Sequence, residues 1–96
     1  MIQIPVTVLQ SIIDKYGEED QLLQTSGECG ELIAVIQNYL RAKKFKYRTE
    51  TLLDVIEEAV DVFFMVQQIR HMNPGLFDSM CNTKLTAVFR KIKNEG

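Results

Sequence analysis

The ten residues Glu57-Glu58-Ala59-Val60-Asp61-Val62-Phe63-Phe64-Met65-Val66 constrain this chain more than any other stretch. They contain no Gly or Pro and are too many for a single strand, so the run reads as helix. From Val60 to Val66 every residue is apolar except Asp61. An ionised carboxylate packed among Val, Phe and Met costs several kcal/mol if nothing compensates it. Glu58 stands three residues earlier on the same face, with its Cβ roughly 5–6 Å away. Two acids side by side on an apolar helix repel each other, and a cation between them removes the repulsion. Glu28 and Glu31 repeat the same i, i+3 spacing on a second long amphipathic stretch. Two such pairs on two helices have the pattern of a metal cage.

Ninety-six residues make one domain, spanning 1–96. A chain this short buries only about 60–65% of its unfolded surface, which leaves a lone monomer modestly stable. The net charge of −2 argues against a dedicated nucleic-acid binder. No apolar stretch approaches the roughly 20 residues needed to cross a bilayer. The start, Met1-Ile2-Gln3-Ile4-Pro5, lacks the basic region and cleavage site of a signal peptide, so the expected location is the cytoplasm. Cys29 and Cys81 fit reduced thiols acting as small core hydrophobes. With no CxxC and one histidine, His71, an ordinary zinc site is excluded.

Four helices are expected. Pro5 to Tyr16 forms the first, with Val6, Leu9, Ile12 and Ile13 at helical spacing and Gly17 closing it. The second runs from about Glu19 to Ala42, roughly 36 Å. Its Leu22, Ser26, Cys29, Ile33, Ile36 and Leu40 step 4-3-4-3-4, a seam suited to a bundle. Glu28, Leu32, Val35 and Tyr39 lie in a stripe beside that seam, with Glu31 adjoining, which puts the acid pair on the margin of a buried face. Arg41 to Arg48 is a basic connector: either a solvated helix end or a positive rim that draws a polyanion. The third helix opens at Thr49 or Thr51, where Thr51 and Asp54 make a capping box, and runs to about Met72. His71 reads as a cation on the C-terminal end of its dipole. Asn73-Pro74-Gly75 breaks it, and the last helix spans about Leu76 to Lys93, with Phe77, Cys81, Leu85, Val88 and Ile92 on one stripe. The fold class is thus all-α, an antiparallel helical hairpin of four-helix-bundle type, completed by oligomerisation because the third helix is apolar on several sides.

Ligand type bounds the metal. Carboxylate-only sites select hard cations, Mg²⁺, Mn²⁺ or Ca²⁺. Di-iron bundles also place acids inside four helices, but they use Glu-x-x-His on two of them, a motif missing here. Mg²⁺ keeps several waters and binds substrate phosphates, so an acid cluster holding it points to a phosphorylated substrate. There is no P-loop and no GxGxxG, which leaves an activated water as the economical nucleophile.

At these residues the sequence resembles a known family. Glu28-Cys29-Gly30-Glu31-Leu32, followed after the basic connector by Glu57-Glu58-Ala59-Val60-Asp61-Val62, is similar to the MazG-like all-α nucleoside triphosphate pyrophosphohydrolases, which are related to dimeric dUTPases. Their signature is EExxE followed by ExxD on the next long helix, and the likeness covers Leu22 to Met72. The resemblance implies Mg²⁺-dependent hydrolysis of nucleoside triphosphates to monophosphate and pyrophosphate, a house-cleaning role, with Mn²⁺ as a possible substitute. It implies Glu28, Glu31, Glu58 and Asp61 as catalytic metal ligands; one of them, or Glu57, would orient the water. The short chain and a third helix apolar on several sides favour a homodimer or homotetramer, in which the site would be partly built from two subunits. Two positions depart from the family pattern. Gly27 replaces the leading Glu of EExxE, and Asn82-Thr83-Lys84 matches an Asn-x-Lys element whose Arg one turn on is Val88 here. Arg90 or Lys91 could replace that phosphate contact beside Asn82 and Lys84. Tyr39, Phe45 and Tyr47 could stack on a base. The rival readings are a non-catalytic helical module that kept the fold and, behind it, a nucleic-acid binder through the basic connector.

Overall fold

Gly17 shows how closely the local chemistry sets the architecture. The computed structural model describes residues 2–46 and 49–95, and among these it is helical with no strand. α1 (Val6–Tyr16) begins after Pro5, whose carbonyl accepts the Val8 and Leu9 amides at 3.0 and 3.2 Å. It ends at Gly17, whose φ of +89° and ψ of 154° only glycine adopts readily. The Gly17 N–H closes α1 on the Ile13 carbonyl at 2.7 Å, and the Gly17 carbonyl opens α2 by accepting from Gln21 at 3.1 Å. A single residue therefore turns the chain from one helix into the next.

α2 (Glu18–Lys44) is longer than the spacing predicts at both ends, taking in Lys43 and Lys44 of the basic connector. Glu18, Glu19 and Asp20 in its first turn and Arg41, Lys43 and Lys44 in its last complement the dipole, which explains the extension. Tyr47 and Arg48 of that connector lie outside the described residues, as do Met1 and Gly96 of the expected 1–96 domain. α3 (Leu52–Met72) starts on the expected capping box, the Thr51 amide donating to the Asp54 carboxylate at 2.7 Å. α4 (Pro74–Glu95) begins two residues earlier than expected. Pro74 suits a first helical position, and Asn73 Oδ1 accepts from the Leu76 amide at 3.2 Å, so the predicted break is a junction of one residue.

α2 and α3 pair along their length as a hairpin, with α1 lying across its open end. His71 ties α3 to α1 by donating from Nε2 to Gln10 Oε1 at 2.7 Å. Among the described residues the buried apolar side chains are few: Leu9 on α1 and Met65 on α3. Two glutamines join them, Gln21 on α2 and Gln68 on α3, and Gln68 finds only the Met65 thioether at 3.6 Å for its amide N–H while its Oε1 accepts nothing.

Within one chain, each hairpin helix covers one face and leaves another open. The α2 stripe that faces α3 is the one carrying Glu28, Leu32, Val35 and Tyr39, all half-buried, whereas the more apolar heptad seam lies open, Ile33 being 58% exposed. The Glu57–Val66 run is also not enclosed within the chain: Val60, Asp61 and Phe64 are exposed, Asp61 at the edge of the contact with α2, near Glu28. Cys29 is half-buried, but Cys81 is exposed and packs no core. The whole α4 helix has no buried residue.

Candidate metal centre

Pairing α2 with α3 brings acids of both helices to one level. Glu28 and Glu31 occupy successive turns of α2 and Glu58 projects from α3, with one carboxylate oxygen of each within 4.8 Å of the others. Glu28 and Glu58 are half-buried and Glu31 is exposed, so the group opens to solvent on one side. Asp61 stands outside this trio, exposed, yet close enough for its charge to act on Glu28. Glu57, one residue from Glu58 and roughly 100° around the helix, is exposed and not part of the group.

The hydrogen bonds inside the trio are incomplete. Gln24, one turn before Glu28, donates from Nε2 to Glu28 Oε1 at 3.1 Å. The second oxygen of Glu28 is buried and accepts nothing, and the same is true of Glu58 Oε2. A buried carboxylate oxygen without a donor is costly, and native structures rarely leave one. Burial pushes the Glu28 carboxyl above its usual range, the Gln24 bond pulls it back, and the charges of Glu31 and Asp61 push it up again. The site is thus poor in donors and rich in repelling acceptors, a combination that a cation resolves. Opposite oxygens on one Mg²⁺ are about 4.2 Å apart and on Ca²⁺ about 4.6–5.2 Å. Distance therefore admits either ion, and the all-carboxylate donor set fits hard cations of this kind. Gln24 escaped the sequence reading, although its i, i+4 spacing from Glu28 is a signal that could have found it.

The expected phosphate contacts stand apart from the acids. Asn82, Lys84 and Arg90 all lie on α4, which touches α3 and no other helix. Asn82 and Arg90 share a shallow groove with Thr83, Thr86 and Ala87, while Lys84 lines a different, apolar one with Phe77, Met80 and Cys81. None of the three side chains is hydrogen-bonded or ion-paired among the described residues. Of the aromatics, Tyr39 is half-buried under Lys43 and Phe45 is exposed beside Lys44, each cation 5.2–5.4 Å from the ring centre. No family model, curated protein or solved structure matches the chain.

Proposed function

We propose that this chain hydrolyses a nucleoside triphosphate to the monophosphate and pyrophosphate at the Glu28–Glu31–Glu58 cluster, with Mg²⁺, or Mn²⁺ in its place, as the working cation. The single observation that carries the reading is the pair of buried, unpartnered oxygens, Glu28 Oε2 and Glu58 Oε2, within a three-acid group that spans two helices. The likeness of ExxE on α2 and ExxD on α3 to the MazG-like pyrophosphohydrolases supports the choice of reaction. Glu28, Glu31 and Glu58 would hold the cation, and Asp61, exposed at the edge of the group, would join them from the solvent side. When bound, such an ion neutralises phosphate charge and lowers the pKa of a coordinated water. Glu57 or one of the cluster acids holds that water by accepting its hydrogen bond, and Gln24 keeps the Glu28 carboxylate turned toward its neighbours. Lys84, with Asn82 and Arg90 along the same helix, supplies phosphate contacts from a second copy in a homodimer or homotetramer. The setting is cytoplasmic and the role is removal of surplus or non-standard nucleotides.

Pyrophosphate release from a panel of NTPs and dNTPs with Mg²⁺ tests this, using the wild-type chain and Glu58→Gln. Metal-dependent turnover that the substitution abolishes is the expected result. No turnover on any nucleotide with Mg²⁺ or Mn²⁺ moves the reading to a non-catalytic helical module, which the distance of the α4 cations from the acids in one chain also favours.

A further inference from the structure

A folded chain of this mass is expected to expose roughly 5,700 Å², and this one exposes 7613 Å². Its radius of gyration is 16.8 Å, against about 12–13 Å for a compact chain of this length. α4 accounts for much of the difference. Its 22 residues extend roughly 33 Å, and the molecule is a flat shape of 44 × 42 × 23 Å, consistent with a hairpin along one long dimension and α4 along the other. The joint is held by a bidentate pair, Arg70 Nε and Nη2 donating to the two Asp78 oxygens at 2.9 and 2.8 Å. Beyond that clamp the helix is bare: Leu85 is 62% and Phe89 72% exposed, and Val88 and Ile92 are open as well.

Two uncovered surfaces share one spacing. Cys81, Leu85, Val88 and Ile92 on α4 step 4-3-4, and Leu22, Ser26, Cys29, Ile33, Ile36 and Leu40 on α2 step 4-3-4-3-4. This is the heptad pattern by which one helix seats its knobs in the holes of another. The charges match too. α2 carries five acids, all in its first half, against three Lys or Arg at its C-terminal end, while α4 carries four Lys or Arg against two acids. The two surfaces sit on helices that do not touch within a chain.

We propose that α4 is an exchanged arm: its Cys81–Leu85–Val88–Ile92 stripe, with Phe89 at the border, docks on the α2 heptad seam of a second copy of this chain, and the second copy returns the contact. The excess exposure, roughly 2,000 Å² per chain, is the amount an obligate homodimer buries on each side, since such interfaces total about 2,000–5,000 Å². Reciprocal exchange closes the pair and leaves no open surface to propagate a filament. This inference holds whether or not the acid cluster hydrolyses a nucleotide.

Sedimentation equilibrium of the full chain from about 1 to 100 µM, with light scattering, reads the mass directly against the 11.1 kDa monomer. The wild type is expected to be a dimer or a multiple of one. Val88→Asp/Phe89→Asp alters side chains that the chain's own fold leaves exposed, so helicity by circular dichroism should persist while the dissociation constant rises at least 100-fold. Ile36→Asp, on the opposite surface, should weaken association comparably. A wild-type monomer throughout the range overturns the proposal, and so does a dimer indifferent to both variants. A monomer that instead binds vesicles of anionic lipid through α4 also overturns it, by making the arm a membrane-surface helix.

Discussion

The α2–α3 hairpin and the α4 arm are both long amphipathic helices from one chain, yet they handle their apolar faces differently. The hairpin turns a mixed stripe inward, containing Glu28, Leu32 and Val35 from α2 and Glu58 and Met65 from α3. α4 turns only Phe77 toward the other helices, beside Leu9 and Phe63, and leaves Leu85, Val88, Phe89 and Ile92 more than half exposed. Within the hairpin, local pairing determines which face is covered, and that face includes acids. On the arm the apolar stripe is cleaner than anything in the hairpin contact, yet no helix of the same chain lies near enough to cover it. The purest heptad surfaces of this chain are therefore the uncovered ones, while the mixed stripe is the one that brings the acids together.

The largest expected effect comes from joining the two regions across subunits. Glu58→Gln disables the acids and Lys84→Ala removes a cation from the arm. If each arm serves the partner's acids, either variant alone should lose pyrophosphate release by two to three orders of magnitude, as removal of a group that stabilises transition-state charge typically does. Mixed after co-refolding, the two should recover roughly a quarter of the wild-type rate, because half the symmetric dimers are mixed and each mixed dimer keeps one intact site. Recovery indistinguishable from zero would place Lys84 in the site of its own chain, and a Lys84→Ala variant that turns over normally by itself would place it outside the site.

Removing buried packing from the hairpin comes next. Met65→Ala should cost about 2–5 kcal/mol, because the side chain is one of two buried apolar residues among the described ones and its removal leaves a cavity between α2 and α3. The same truncation at Leu85 should leave the fold of an isolated chain unchanged within about 0.5 kcal/mol, and register only as weaker association. Urea titrations at low and high protein concentration separate the two outcomes. Equal costs at both positions would mean that α4 is packed as deeply as the hairpin.

A comparable magnitude is expected from the cation. Mg²⁺ at about 100 times its dissociation constant should stabilise the wild type by about 2.7 kcal/mol. In EDTA, Glu28→Gln should melt higher than the wild type, since it removes an acceptor that repels Glu31 and Asp61 and replaces it with a group able to donate. With Mg²⁺ the order should reverse. A variant that melts lower in EDTA would show that Glu28 is held by partners other than a cation.

Much of this arrangement was legible in the residues and some of it was not. Gly17, the Thr51–Asp54 box and the dipole-matched ends of α2 are local signals, settled within a few residues, and they placed the helices closely. The meeting of Glu28, Glu31 and Glu58 followed from two i, i+3 pairs on adjacent helices, because a hairpin has few registers that keep both pairs on the shared face. What periodicity could not say was which of two adjacent α2 stripes α3 would choose. Hydrophobicity favours the Leu22–Leu40 seam, and the structure gives it to solvent, since an apolar stripe reports that something will cover it and not which chain supplies the cover. The same limit explains Asp61, whose apolar neighbours suggested an interior that one chain does not provide. The buried amides of Gln21 and Gln68 carried no signal at all, being ordinary surface residues by type.

The joint between hairpin and arm yields the smallest effect and the most specific pH signature. Arg70 donates to Asp78 and holds that carboxyl below its ordinary value of 3.8, the hydrogen bond acting first, burial opposing it and charge adding to it. The Arg70 guanidinium is raised correspondingly and stays charged throughout. A carboxyl whose folded-state pKa lies below its unfolded value contributes its full stabilisation above the unfolded pKa, and loses it as pH falls through the folded one. Both side chains are substantially exposed, at 40% and 53%, so the contribution is small and salt-sensitive. The difference in melting temperature between wild type and Asp78→Asn should therefore be constant from neutral pH to about 4.5, shrink below the ordinary carboxyl pKa, and shrink at neutral pH in molar salt. A difference that persists unchanged at pH 2.5 would mean that Asp78 acts at the junction through helix capping or packing, and the angle of the arm would then rest on Asn73 and Pro74 alone.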